Sequence, residues 1–148
     1  MQILPKSIVN TEVNSGNFII DDKNNNYYLI DWEKPLITTP LQDLSHFSVP
    51  TTTLWKTDYR MNEKDRSDFI NTYCKKRKLL NHFEDIKKAL NTFDKYSVMR
   101  GLSWSAMAWI KYQKEDRLLK NEDTFKKMDS YLKIDFIKDI FNDIFEMH

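Results

Sequence analysis

Glycine is nearly missing from this chain of 148 residues, which holds only Gly16 and Gly101. Two glycines so far apart build neither a phosphate-binding glycine loop nor a dinucleotide fingerprint, because both need glycines a few residues apart where backbone N–H groups approach the phosphates. Cysteine is scarcer still. Cys74 stands alone, which excludes an intrachain disulfide and a thiolate metal site and agrees with a reducing interior. His46, His82 and His148 are too scattered for a metal set, and no spacing suggests a Ser-His-Asp arrangement. A surplus of one charge is lacking too: Lys+Arg 23 against Asp+Glu 22 leaves a net +1, which offers no global field to recruit nucleic acid or an anionic membrane. No run approaches the roughly 20 apolar residues of a membrane span, and the first residues lack the basic-then-apolar pattern of a signal peptide. The expectation is a cytoplasmic protein with neither a nucleic-acid nor a membrane partner.

What the chain does contain is apolar and aromatic substance. At 41% hydrophobic and 14% aromatic residues it can fill a core despite 30% charged residues, and its length suits one domain spanning 1–148. The first strong pattern is a hairpin. Phe18-Ile19-Ile20 and the run Tyr27 to Ile30 flank Asp21-Asp22-Lys23-Asn24-Asn25-Asn26, and Asp and Asn tolerate the left-handed backbone that tight turns need. Oxygen-bearing side chains gather at its base: Glu12 and Asn17 before it, Asp31 after it. An oxygen-only set suits Mg²⁺ rather than zinc. Asn17 beside Gly16 also suits a turn residue that caps the hairpin, and Asp31 a carboxylate bonded to loop backbone.

The remainder reads as helix. Leu41 to Phe47 makes a short helix with Pro40 in its first turn. Asn62 caps a helix from Glu63, whose Phe69, Ile70, Tyr73 and Cys74 recur at spacings of three and four. The basic run Lys75-Lys76-Arg77-Lys78 suits a solvated helix end. Phe83, Ile86, Leu90 and Phe93 mark the next stripe. Tyr96 to Tyr112 is apolar on nearly all sides, which predicts a buried central helix with Trp104 and Trp109 in the core. Gly101 inside it implies close packing against a neighbour. Asn121 caps a further helix, and Ile134, Ile137, Ile140, Phe141, Ile144 and Phe145 form a last stripe. The β-branched run Thr51-Thr52-Thr53-Leu54-Trp55 reads as a strand by composition. The fold class is α+β, mostly α-helical, with a small β-hairpin.

The hairpin and its flanks resemble the catalytic segment of the aminoglycoside phosphotransferase and choline kinase family, whose fold is related to that of the protein kinases. That family has a loop H-x-D-x-x-x-x-N, a hairpin, and an I-D-[WFH]-E exit. Here the loop is Asn10-Thr11-Glu12-Val13-Asn14-Ser15-Gly16-Asn17, the exit is Ile30-Asp31-Trp32-Glu33, and Asp43-Leu44 is similar to a later D-L segment of the family. The resemblance covers essentially this whole chain but only the later part of the family's large lobe. It makes Thr51 to Trp55 a loop and helix start, and it sets Arg100-Gly101-Leu102 behind the catalytic loop.

The resemblance implies a phosphotransferase that moves the ATP γ-phosphate to a small hydroxylated acceptor such as choline, an amino alcohol, a sugar or an aminoglycoside. Asp31 and Asn17 are then Mg²⁺ ligands, Glu12 the base, and Glu33 a loop-orienting or cofactor-side residue. Two positions depart from the pattern. Asn10 replaces an architectural histidine that links the loop to the segment around Asp31, and Glu12 replaces an aspartate, one methylene shorter. Nothing in Met1 to Val9 supplies the nucleotide-covering strands, so ATP binding is expected to be weak in the isolated chain. The implied partner is a separately encoded amino-terminal lobe or a second copy in a homodimer; the alternative is an inactive, truncated kinase-like interaction module.

Overall fold

A computed structural model describes residues 4–114 and 121–145. Two antiparallel two-stranded sheets and six α-helices make up a mixed, mostly helical fold. The hairpin joins β2 (Phe18–Asp21) to β3 (Asn26–Leu29), with Phe18 opposite Leu29 and Ile20 opposite Tyr27. Its turn closes through Asn25, which takes φ 54, the left-handed conformation expected of an asparagine-rich turn. The second sheet pairs β1 (Ser7–Val9) with β4 (Leu36–Thr38), so the chain before the loop lies beside the chain after the hairpin exit. Residues 1–3 and His148 lie outside the described residues.

Helix α1 (Leu41–Ser48) follows Pro40 as expected. Helix α2 (Pro50–Lys56) overturns the strand reading of Thr51 to Trp55. Pro50 occupies its first turn, where a missing N–H costs nothing, and Pro50, Thr51 and Thr52 are buried. Helix α3 (Glu63–Lys76) is capped by the Asn62 side chain, which accepts from the Asp65 N–H. Its basic end is exposed, as a solvated helix end should be. The two apolar stripes after residue 83 form one continuous helix, α4 (Phe83–Lys114), about 48 Å long at 1.5 Å per residue. Helix α5 (Glu122–Tyr131) starts at the Asn121 cap, and α6 (Ile134–Phe145) carries the last stripe.

Helix α4 serves two cores. Its first half sends Ile86 and Leu90 into a cluster with Leu4, Leu41, Leu44, Ile70 and Cys74. Its second half sends Val98 and Leu102 into another, with Val49, Tyr131 and Ile140. The expectation of burial all round residues 96–112 is corrected. Tyr96 is 73% and Trp104 47% exposed, and Met99, Met107 and Ile110 also face outward, because only one side of α4 meets α1, α2 and α5. Gly101 lies where α4 crosses α2: a Cβ there would stand 2.9 Å from Cβ of Thr51. No helix among the described residues is long and apolar enough to cross a membrane.

Candidate functional site

The loop between β1 and β2 is held in a costly conformation. Thr11, a β-branched residue, takes φ 75, and Asp31, at the hairpin exit, takes φ 65. Left-handed backbone at such positions costs on the order of 1–3 kcal/mol each and persists only where neighbours enforce it. The neighbours are identifiable. Asp43, in the first turn of α1, accepts the N–H of Asn10 at 2.6 Å and that of Thr11 at 2.9 Å, one on each carboxylate oxygen. From α4, Arg100 donates to the Thr11 carbonyl at 2.8 Å, and the Thr11 hydroxyl donates to the Lys34 carbonyl at 3.1 Å. Asn10 is buried, and its side-chain amide donates to the Asp31 carbonyl at 2.7 Å, tying the loop to the exit.

Backbone contacts thus set the segments that carry Glu12, Asn17 and Asp31 side by side. Asn17 ends a short 3-10 turn, Ser15–Asn17, and is buried. Its amide donates to the Glu12 carbonyl at 3.4 Å, which leaves its side-chain oxygen as an acceptor, and its own carbonyl takes the Ile30 N–H at 2.9 Å. Asp31 is exposed with its carboxylate free of protein partners among the described residues. Glu12 is half exposed and meets Lys34 at 3.7 Å. Glu33 is exposed and makes no hydrogen bond or ion pair with the described residues, so the loop is oriented by Asn10, Asp43 and Arg100 instead. Among the described residues no three His, Cys, Asp or Glu side chains converge as a metal cluster. An Asn–Asp pair is a thinner, all-oxygen donor set that fits a hard cation whose remaining ligands come from elsewhere.

Beside Glu12 opens a cleft of about 390 Å³ between the loop, α1, α2 and α4. Trp55, Trp104 and Tyr131 form its apolar wall; Lys56 and Arg100 are its cations. His46 belongs to the same wall. Its Nδ1 accepts from Arg100 at 3.0 Å, and from the Thr52 hydroxyl at 3.3 Å, which leaves its proton on Nε2. Burial, and then the Arg100 charge, hold its pKa down at about 4, so it is neutral near pH 7. Composition and spacing did not reveal this wall, whose residues come from four separate parts of the chain. Only the Asp43-Leu44 and Arg100-Gly101 segments, through the resemblance, pointed behind the loop.

No family model matches the chain, and no curated protein or solved structure matches it either.

Proposed function

We propose that this chain is the metal- and acceptor-binding part of a phosphotransferase similar to the aminoglycoside phosphotransferase and choline kinase family, transferring the ATP γ-phosphate to a small hydroxylated acceptor once a nucleotide-binding lobe completes it. The observation that carries the reading is the pair of left-handed residues, Thr11 and Asp31, braced by Asn10, Asp43 and Arg100. Strain maintained by directed hydrogen bonds at the base of an exposed hairpin supports the reading, because in it the braced loop and exit position Glu12, Asn17 and Asp31. Asn10 also performs in part what the family's histidine does, since its amide reaches the backbone of Asp31.

In this reading Asn17 and Asp31 would hold Mg²⁺ with oxygen donors, and the bound ion would supply neutralising charge to the phosphates. Asp31 supplies the full negative charge and Asn17 the neutral oxygen. Glu12, at the mouth of the cleft, positions the acceptor hydroxyl and takes its proton. The longer side chain of Glu12, set against an optimum about 1 Å away, costs about 100-fold in rate, and the chain alone falls well below the 1–100 per second typical of kinases. The lobe that would cover the nucleotide comes from outside these 148 residues.

Calorimetry tests the metal arm. Mg²⁺ or Mn²⁺ binds weakly, and Asp31→Asn removes most of that heat. No metal-dependent heat, with or without nucleotide, overturns the proposal. A coupled assay over choline, ethanolamine, sugars and aminoglycosides tests the activity arm, where robust turnover by the isolated chain, abolished in Glu12→Gln, would reverse the expectation of a weak enzyme.

A further inference from the structure

We infer that the cleft beside Glu12 takes a small, flat hydroxyl compound that carries a negative charge, and that Lys56 selects for that charge. The inference deepens the acceptor side of the reading above and rests on it only for the part played by Glu12.

The wall comes first. Trp104 stands nearly half exposed and meets Trp55 edge-on at 5.4 Å, and Trp55 meets Tyr131 edge-on at 5.8 Å. Tyr131 is fixed in turn, donating its hydroxyl to the Thr51 carbonyl at 3.0 Å and stacking on Phe136 at 4.7 Å. An aromatic wall of this kind accepts either a cation or a flat uncharged ring. The charges decide between them. Lys56 and Arg100 both face the cleft, against one carboxylate, Glu12, which is itself countered by Lys34 from the other side. Arg100 is bonded to two neutral acceptors, the Thr11 carbonyl and His46, so its charge is not cancelled. Lys56 has no hydrogen-bond or ion-pair partner among the described residues, and its side chain runs beside Gly16, close to the strained loop. A quaternary amine placed here would meet two cations and one shared carboxylate.

The floor of the cleft is the crossing of α2 on α4. Thr51 lines it but is only 6% exposed, and its hydroxyl oxygen is buried against Gly101, out of reach of a ligand. A volume of about 390 Å³ lies at the lower end of small-molecule sites. Aromatic wall, free cation and Glu12 at the mouth together describe a hydroxyalkyl aryl acid or a compound of like shape.

Tryptophan fluorescence of the full chain, without nucleotide or metal, tests this with three matched probes: 4-(hydroxymethyl)benzoate, benzyl alcohol and 4-(aminomethyl)benzyl alcohol. The benzoate binds at least about tenfold more tightly than the neutral alcohol, the worth of one charge-assisted contact, and the amine binds most weakly. Lys56→Gln weakens the benzoate severalfold, Arg100 keeping part of the preference, and leaves benzyl alcohol unchanged, and Trp104→Phe reduces the quenching by all three. Added salt weakens the benzoate alone. Lys56 and Trp104 are exposed, so neither variant endangers the fold, and a thermal melt checks that. The inference fails if the amine or choline binds as tightly as the benzoate, if Lys56→Gln leaves the benzoate unaffected, or if no probe quenches. Phosphoryl transfer to a cationic acceptor would overturn it and leave the proposed function standing; tight benzoate binding without any transfer would do the reverse.

Discussion

Two desolvated titratable residues, buried Asp94 and half-buried His46, oppose each other. Desolvation raises Asp94 to about 6, although Arg66, its ion-pair partner, pulls the other way. An acid whose folded pKa exceeds its unfolded value binds protons better when folded, so its stabilising contribution is present below about 4 and is lost as pH rises to about 6. His46, held at about 4 against an ordinary 6.5, works in reverse: its contribution is present above 6.5 and is lost as pH falls to about 4. Each shift is worth up to about 3 kcal/mol, and over most of this window the two slopes cancel. Urea unfolding between pH 4 and 7 therefore separates them by substitution. Asp94→Asn leaves His46 unopposed, and stability falls steeply towards acid. His46→Asn leaves Asp94 unopposed, and stability rises towards acid relative to the parent. Parallel profiles for the parent and both variants would show that neither shift exists.

At the scale of elements, the crossing of α4 on α2 controls both the second core and the cleft. A Cβ at residue 101 meets Thr51 at 2.9 Å from its Cβ and from its Oγ1, contacts with backbone-anchored atoms that cannot swing aside. Gly101→Ala gains up to about 1 kcal/mol of helix propensity but overpacks the crossing by about 1–3 kcal/mol, so the net outcome is a loss. The expected fall in melting temperature is several degrees, accompanied by a change in Trp55 or Trp104 emission, because Thr51 lies between the crossing and the cleft. A rise in melting temperature would mean that α2 can move away freely. The cap residues Asn62 and Asn121 were legible because capping is a local rule of side chain and backbone. Thr51 to Trp55 misled because β-branching states a preference that Pro50 in the first turn and burial against α4 override.

Across the described molecule, the two small sheets leave large apolar side chains exposed. Ile8 and Ile37 face each other across β1 and β4 and are 67% and 73% exposed. On the hairpin, Phe18, Ile19, Ile20, Tyr27 and Tyr28 are exposed on both faces, so covering one side would not suffice. Among the described residues, Phe18 meets the edge-on ring of Phe47 at 5.7 Å. Each sheet has two strands and hence unpaired edges, and a net charge of +1 offers little repulsion between copies. The occupant this favours is a second copy. Light scattering over a tenfold concentration range is expected to show mass rising above that of the monomer, and Ile37→Lys to lower it. A constant monomer mass with no binding of a hydrophobic dye ends the association reading; monomer mass with dye binding leaves the surface to a separately encoded lobe.

Local rules were enough for the hairpin, the caps and the start of α1, because turn chemistry and short loops act over a few residues. The meaning of Asp43 and Arg100 was not legible in spacing. Asp43 lies 33 residues from Asn10 and Arg100 lies 89 from Thr11, and only the packing of α1 and α4 behind the loop makes them hydrogen-bond partners. Apolar content likewise could not say which face of α4 would be covered, since the same stripe serves a core where a helix packs on it and a surface where none does. The cleft, assembled from the loop, α1, α2, α4 and α5, exists only at that level. Its charge balance depends on which cations point the same way, and tertiary packing alone decides that.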